Sequence, residues 1–190
     1  MQAIPKILHQ VWINPNNPEL PEPYATYRDG WLALHPDWEY RIWNLDNLDF
    51  KPQNPHLLNS ETLATQLSDI LRYEVLYHHG GIYIDTDFEC QKNIEPLLEG
   101  VQNFACSENG AAISGGILGA VKHSELMKAC MDHFPQELGK VSPALETGPG
   151  FLTKVLLTYG FHNNLTIFPT SHFYPYGFYE PEKANEAFPE

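Results

Sequence analysis

With 190 residues, 43% of them apolar and 13% aromatic, the chain holds enough core-forming material for one domain and is too apolar to be disordered or collagen-like. Its 11 basic against 24 acidic residues give a formal net charge of −13, and the few cations are scattered, which excludes a nucleic-acid backbone as partner. An anionic small substrate stays open, provided that a metal ion or one well-placed arginine neutralises it locally.

The opening MQAIPKILHQVWI has its only early positive charge at Lys6 and no long apolar run, so it does not read as a signal peptide. No stretch approaches the roughly 20 apolar residues of a membrane span. Ile4 to Ile13 is a β-rich run, closed by the proline- and asparagine-rich NPNNPELPEP. Tyr24 to Leu34 reads as a short helix stopped by His35-Pro36, Trp38 to Trp43 as a second strand, and Asn44 to Asn59 as a loop with short turns.

The longest helix is expected over Glu61 to His79, with Ser60 as N-cap and Gly80-Gly81 as the stop. Leu63, Leu67, Ile70, Leu71 and Val75 form its apolar stripe at helical spacing. Asp69 and Arg72 stand i, i+3 away from that stripe and would touch, as a solvated ion pair or as a pair of site residues. Glu74 falls within the stripe and is expected to be a buried carboxyl bonded to backbone or tyrosine. His78 and His79 suit the last turn, favoured by the helix dipole, better than a metal.

Next comes IYIDTD, a strand by its β-branched and aromatic content, whose alternation puts Tyr83, Asp85 and Asp87 on one face. Two carboxylates about 7 Å apart on a strand repel unless a positive charge sits by them, and hard cations such as Mn²⁺ or Mg²⁺ suit these oxygen ligands and bridge to substrate phosphates. The plain alternative is two acids at a solvated strand end. Beyond it, Cys90, Cys106 and Cys130 show no CxxC spacing, which argues against a disulfide framework or thiolate zinc site and points to a reducing cytoplasm, with any membrane contact peripheral or through a partner.

Asn103 to Glu108 and Ala111 to Ala120 read as strands around a glycine turn, and Gly115-Gly116 as a simple turn or a place of close substrate approach. His123 to Phe134 and Gly150 to Thr158 are expected helices, the latter entered through Glu146-Thr147-Gly148-Pro149.

The order IPKILHQVWI, then SDILRYEVLYHHGGIYIDTD, then ETGPGFLT closely resembles the glycosyltransferase family whose sugar-binding region contains the DXD motif, over Ile4 to about Pro175. That family includes relatives of yeast initiation-specific mannosyltransferase and, distantly, the clostridial glucosylating toxins. The resemblance implies one α/β domain of GT-A type, with a mainly parallel nucleotide-sugar-binding sheet flanked by helices. It implies that Trp12 stacks on the donor base and Val11 offers backbone contacts, and that Ser68 and Tyr83 lie near the ribose. Asp85 and Asp87 would meet ribose and metal, Mn²⁺ or Mg²⁺, while Asp69 takes sugar hydroxyls and Arg72 lies near sugar and diphosphate. Thr147 and Gly148 match a segment by the donor sugar or acceptor. The implied activity is metal-dependent, retaining hexosyl transfer from a nucleotide sugar, UDP-hexose favoured, to a hydroxyl of a glycan, lipid-linked or protein acceptor.

Many relatives carry a histidine and a Ser-Trp pair after the segment matched by SHFYPYGFY, and this sequence reaches Glu190 without them. Water or tail acids such as Glu182 or Glu186 would then complete the site, or the segment has been removed. Two other readings remain: a non-catalytic nucleotide-sugar-binding domain, and a haloacid-dehalogenase-like phosphatase. The latter also places Asp-x-Asp after an apolar strand, but wants a small residue where Phe88 stands.

Overall fold

The computed structural model of the chain describes residues 2–108, 110, 112–160, 164–176 and 183. Six strands form one sheet: β1 (Ile7–Val11), β2 (Glu39–Trp43), β3 (Gly81–Ile84), β4 (Asn103–Glu108), β5 (Ala112–Ala120) and β6 (Thr166–Phe168), in the order β2-β1-β3-β5-β4-β6. The pairings of β1 with β2, β1 with β3 and β4 with β6 are parallel, whereas β5 runs antiparallel to both β3 and β4. This is a mixed, mainly parallel α/β sheet of GT-A type. Helix α1 (Tyr24–Leu34) links β1 to β2 with the expected bounds, and α2 (Ala64–His79) links β2 to β3. Helices α3 (Glu125–Asp132), α4 (Pro143–Glu146) and α5 (Pro149–Tyr159) follow β5. Among the described residues no helix is long and apolar enough to cross a membrane.

Strand alternation divides the core between the two faces of the sheet. Val11, Tyr83, Leu118 and Ala120 pack with Ile70, Tyr73 and Leu76 of α2, Met127 of α3 and Phe151 of α5, while Leu8, Ile82, Ile84 and Ile117 pack with Trp31 of α1 and Phe104. Between α2 and β3 the chain reverses without a loop. Gly80 and Gly81 take φ of 67° and 100°, and a Cβ on them would stand 2.7 Å from the Lys122 nitrogen and 2.6 Å from the Ile7 carbonyl oxygen, so no other residue fits there.

Several expectations are corrected. Helix α2 begins at Ala64, not Glu61, and Ser60 is not its cap. The Asn59 side chain accepts from the Glu61 nitrogen and Thr62 Oγ1 donates to the Leu57 carbonyl, local bonds that hold 57–62 in turns instead. Leu63, counted in the apolar stripe, is 54% exposed. Gly115 and Gly116 lie inside β5 and not in a turn. Ala111 lies outside the described residues.

Candidate active site

Strand order reverses about β1, which has β2 on one side and β3 on the other, and open α/β sheets bind ligands in the crevice at the carboxyl ends of the strands at such a point. Here that crevice is a cleft of about 440 Å³. Val11 and Trp12 enter it from the end of β1, Ser68, Asp69 and Arg72 from α2, and Tyr83, Asp85 and Asp87 from β3 and its continuation. All eight expected residues of those segments meet there. The strand nevertheless ends at Ile84, so Asp85 to Asp87 form a turn, closed by the Phe88 nitrogen on the Asp85 carbonyl at 3.2 Å. Strand alternation therefore does not govern the two aspartates, and Thr86 lines the same cleft.

Arg72 is the centre of the cluster. Its Nη2 lies 2.9 Å from Asp69 Oδ1 and 3.3 Å from Asp85 Oδ1, and the guanidinium lies over the Tyr83 ring, 4.8 Å from its centroid. Tyr83 donates its hydroxyl to the same Asp85 oxygen at 2.6 Å. Of the two readings of this pair, the solvated one is excluded: Arg72 is 5% and Asp69 8% exposed. The apolar face of α2 is only part of what it buries, because β5 and the segment before α5 cover the polar face too. Burial opposes the charge on Arg72, but Tyr83, Asp85 and Asp69 hold it more firmly protonated than an ordinary arginine. Burial pushes the Asp69 carboxyl up, against the pull of Arg72 and of a hydrogen bond from Thr147. Among the described residues Arg72 Nε has no hydrogen-bond partner, so one donor of a buried cation stays free there.

Two glycines make this arrangement possible. A Cβ on Gly115 would stand 1.9 Å from Arg72 Nη1, and one on Gly116 would stand 3.0 Å from Asp85 Oδ2 and 2.9 Å from the Tyr174 hydroxyl. A glycine pair within a β-rich run was the available sequence signal for this close approach. Tyr24 and Ser114 also line the cleft, and nothing in the sequence singled them out. The Tyr24 and Trp12 rings are 5.8 Å apart, and Trp12 is held by its indole N–H on the Asn17 carbonyl.

Thr147 and Gly148 do not line the cleft. Thr147 is fully buried and donates from Oγ1 to Asp69 Oδ2 at 2.7 Å, so it orients Asp69 from behind. Its segment is anchored by Glu146, whose carboxylate accepts from the backbone of Gly139, Lys140 and Val141 and from Gln66. Glu182 and Glu186 lie outside the described residues.

Oxygen donors fit a hard divalent cation at Asp85 and Asp87. Asp87 is exposed at the cleft edge, and its carboxyl is pushed up by desolvation in the concave wall and by Asp85 beside it, the strain that a cation would relieve. Among the described residues no group of three or more histidines, cysteines or acids is arranged to hold a metal ion, so the remaining ligands would be substrate phosphates and water. His79 is held by side chains and not by the helix dipole alone, donating to Asp49 and accepting from Arg41, and burial lowers its pKa.

Residues 21–103 match the family described as glycosyltransferase sugar-binding region containing DXD motif. The match takes in the Asp-x-Asp itself, Asp85-Thr86-Asp87. It includes α2, β3 and both aspartates, while Trp12, Gly115 and Thr147 fall outside it. A mannosyl phosphorylinositol ceramide synthase of Saccharomyces cerevisiae is 30% identical over 168 residues, 83% of this chain and 44% of that protein. The inositol phosphoceramide mannosyltransferase 3 of Schizosaccharomyces pombe is 30% identical over 165 residues, 80% of this chain and 44% of that protein. The chain therefore spans under half the length of these relatives. Among solved structures, the PaToxG glycosyltransferase superposes with a TM-score of 0.68 at 18% identity, covering 83% of this chain and 70% of its own. The UDP-bound glycosyltransferase domain of the YGT toxin gives 0.58 at 12% identity, covering 88% and 80%. At these identities the two structures show the fold alone.

Proposed function

We propose that the chain transfers a hexosyl group from a nucleotide sugar to a hydroxyl acceptor, with UDP-hexose as donor and Mn²⁺ or Mg²⁺ held at Asp85 and Asp87. The observation that carries this reading is a buried arginine clamped between Asp69 and Asp85, with one donor free, beside an exposed aspartate at a strand carboxyl end. Support for a UDP donor comes from the YGT domain, which has the same fold and binds UDP.

In the overall reaction the bond from the anomeric carbon to the phosphate oxygen breaks and a bond to the acceptor oxygen forms. The acceptor proton leaves with the nucleoside diphosphate. Negative charge grows on the diphosphate as the bond breaks, and Arg72, fixed before substrate arrives, stabilises it without reorganisation. A bound divalent cation would add Lewis-acid stabilisation of the same charge. Asp69 accepts from sugar hydroxyls through the lone pairs that Thr147 and Arg72 leave free. Trp12 and Tyr24 flank the base. Retention of configuration is part of this reading, on the family resemblance alone.

Thermal unfolding with UDP-glucose or GDP-mannose, with and without Mn²⁺, tests it. Saturating UDP-glucose with Mn²⁺ should raise the midpoint, since at about 100 times Kd a ligand adds about 2.7 kcal/mol. Asp87→Asn should weaken that donor about tenfold or more while leaving the unliganded midpoint almost unchanged, because the residue is exposed. Trp12→Ala should weaken UDP and UDP-glucose alike, by about 1–3 kcal/mol of lost stacking. No shift with either donor would overturn the function, and equal shifts without Mn²⁺ would overturn the metal assignment.

A further inference from the structure

Beside the donor cleft lies a second concavity of about 490 Å³ that no step above uses. It shares Asp87 with the cleft, and its walls include the aromatics Tyr27, Phe88 and Tyr174 and the carboxylates of Glu89 and Glu108. Tyr174 and Phe88 meet edge to face, 5.2 Å between centroids, and Tyr174 OH bonds Ser114 Oγ, so this wall is fixed to β5. A Cβ on Gly116 would stand 2.9 Å from Tyr174 OH and 3.0 Å from Asp85 Oδ2, so the tyrosine of the groove wall and the first aspartate of the cleft close in on the same glycine. On the far side of Phe88 a third hollow of about 450 Å³ continues, more apolar, with Trp31, Ile94, Leu97 and Phe173 in its lining beside Lys92 and His172.

We infer that this groove is the acceptor site, and that it takes an uncharged sugar or polyol carrying an apolar aglycone; the inference rests on the transferase reading. Aromatic faces pack against the C–H faces of sugar rings, and carboxylates, which only accept, take the hydroxyl protons. Besides Asp87, which the divalent cation would neutralise, the described lining of the groove contains the carboxylates of Glu89 and Glu108 and no lysine, arginine or histidine. A phosphate there would be pressed against like charge, which costs several kcal/mol where water is excluded. Both fungal relatives have names that specify a phosphate-bearing inositol lipid. The groove thus separates this chain from them in acceptor charge, while the apolar hollow beyond it keeps room for an alkyl segment.

Calorimetric titration without donor tests this, using octyl β-glucoside below its critical micelle concentration, its 6-phosphate, and free glucose. The octyl glucoside should bind at least about tenfold tighter than either of the others, the first difference reading the alkyl chain and the second the charge. Glu108→Lys should narrow the gap between octyl glucoside and its 6-phosphate at least about tenfold and leave donor hydrolysis, read as UDP release from UDP-glucose, at the wild-type rate. Equal or tighter binding of the 6-phosphate, or no gain from the octyl chain, would overturn the inference even if UDP-glucose binds. Octyl glucoside binding without any donor binding would instead leave a glycoside site and overturn the transferase reading.

Discussion

Helix α2 carries acids and nitrogen bases at both ends. Towards its start Asp69 and Arg72 pair beneath the cleft, and towards its end Glu74 stands 3.6 Å from His78 and accepts from the Gln53 backbone at 2.8 Å. The later set is sealed. Phe50 stacks on His78 with 4.4 Å between centroids, Trp43 stacks on His79 at 5.2 Å, and both ring nitrogens of His79 are bonded. Beside the earlier set the neighbouring strand supplies Gly115 and Gly116, with no side chain at all, and Asp87 opens to solvent. A buried carboxylate stands in each set, Asp69 in one and Glu74 in the other. What separates site from scaffold is whether the surrounding volume has been filled by aromatics or withheld by glycines.

The largest effect should come from filling that withheld volume. Gly115→Ala puts a methyl 1.9 Å from the guanidinium, so Arg72 must swing away with its charge intact; turnover should fall on the order of a hundredfold. Steady-state kinetics on the folded variant check this, and wild-type turnover would erase the distinction between the two ends. Arg72→Ala should lose as much activity and also about 3–5 kcal/mol of stability by chemical denaturation, because Asp69 is left buried without its partner.

At the sealed end the next effect is one of pH. Trp43 donates to His9 Nδ1 and His9 Nε2 donates to the Gly80 carbonyl, so the ring is held neutral, and burial lowers its pKa to about 4. The folded pKa lies below the unfolded one, so this contribution to stability is complete above about pH 6.5 and is lost as pH falls towards 4, about 3 kcal/mol in all. His78 and His79 are lowered too, again first by burial, and act in the same direction. Denaturant midpoints from pH 7 to 4.5, with the His9 ring followed by NMR, check this; a His9 ring that protonates near pH 6.5 would show that the end is not sealed.

The smallest effect sharpens the same contrast. Burial raises the pKa of Glu74, so its charged form destabilises the fold as pH rises through that value. Glu74→Gln should therefore be neutral or stabilising at pH 7 by up to about 1 kcal/mol, with turnover unchanged, measured by denaturation and initial rates.

Local pattern was enough to read most of the elements and the aspartate pair. The apolar spacing of Leu67, Ile70, Leu71 and Val75 marked α2, and the run before Asp85 marked β3. Burial of Asp69 and Arg72 was not legible, because it depends on β5 and on Thr147, 78 positions away from Asp69 in the chain. Helical periodicity reports which face is apolar, and says nothing of a polar face that a second layer covers. The end of β3 was missed for a related reason: a turn that begins with Asp85 carries the same residue types as a strand. The short strand β6 escaped because three residues at a sheet edge hold too little pattern to stand out.

The glycine reversal between α2 and β3 also makes the chain a ruler. Arg72 and Asp85 belong to elements joined without slack, so one residue inserted between positions 73 and 79 would turn the start of α2 by about 100° relative to β3 and swing Arg72 off the cleft. The turns over 44–62 have no such phase to keep. Tags, permuted termini or inserted sensor domains should be accepted at the exposed turn over 59–61 and rejected from the thirteen-residue interval that separates the arginine from the first aspartate.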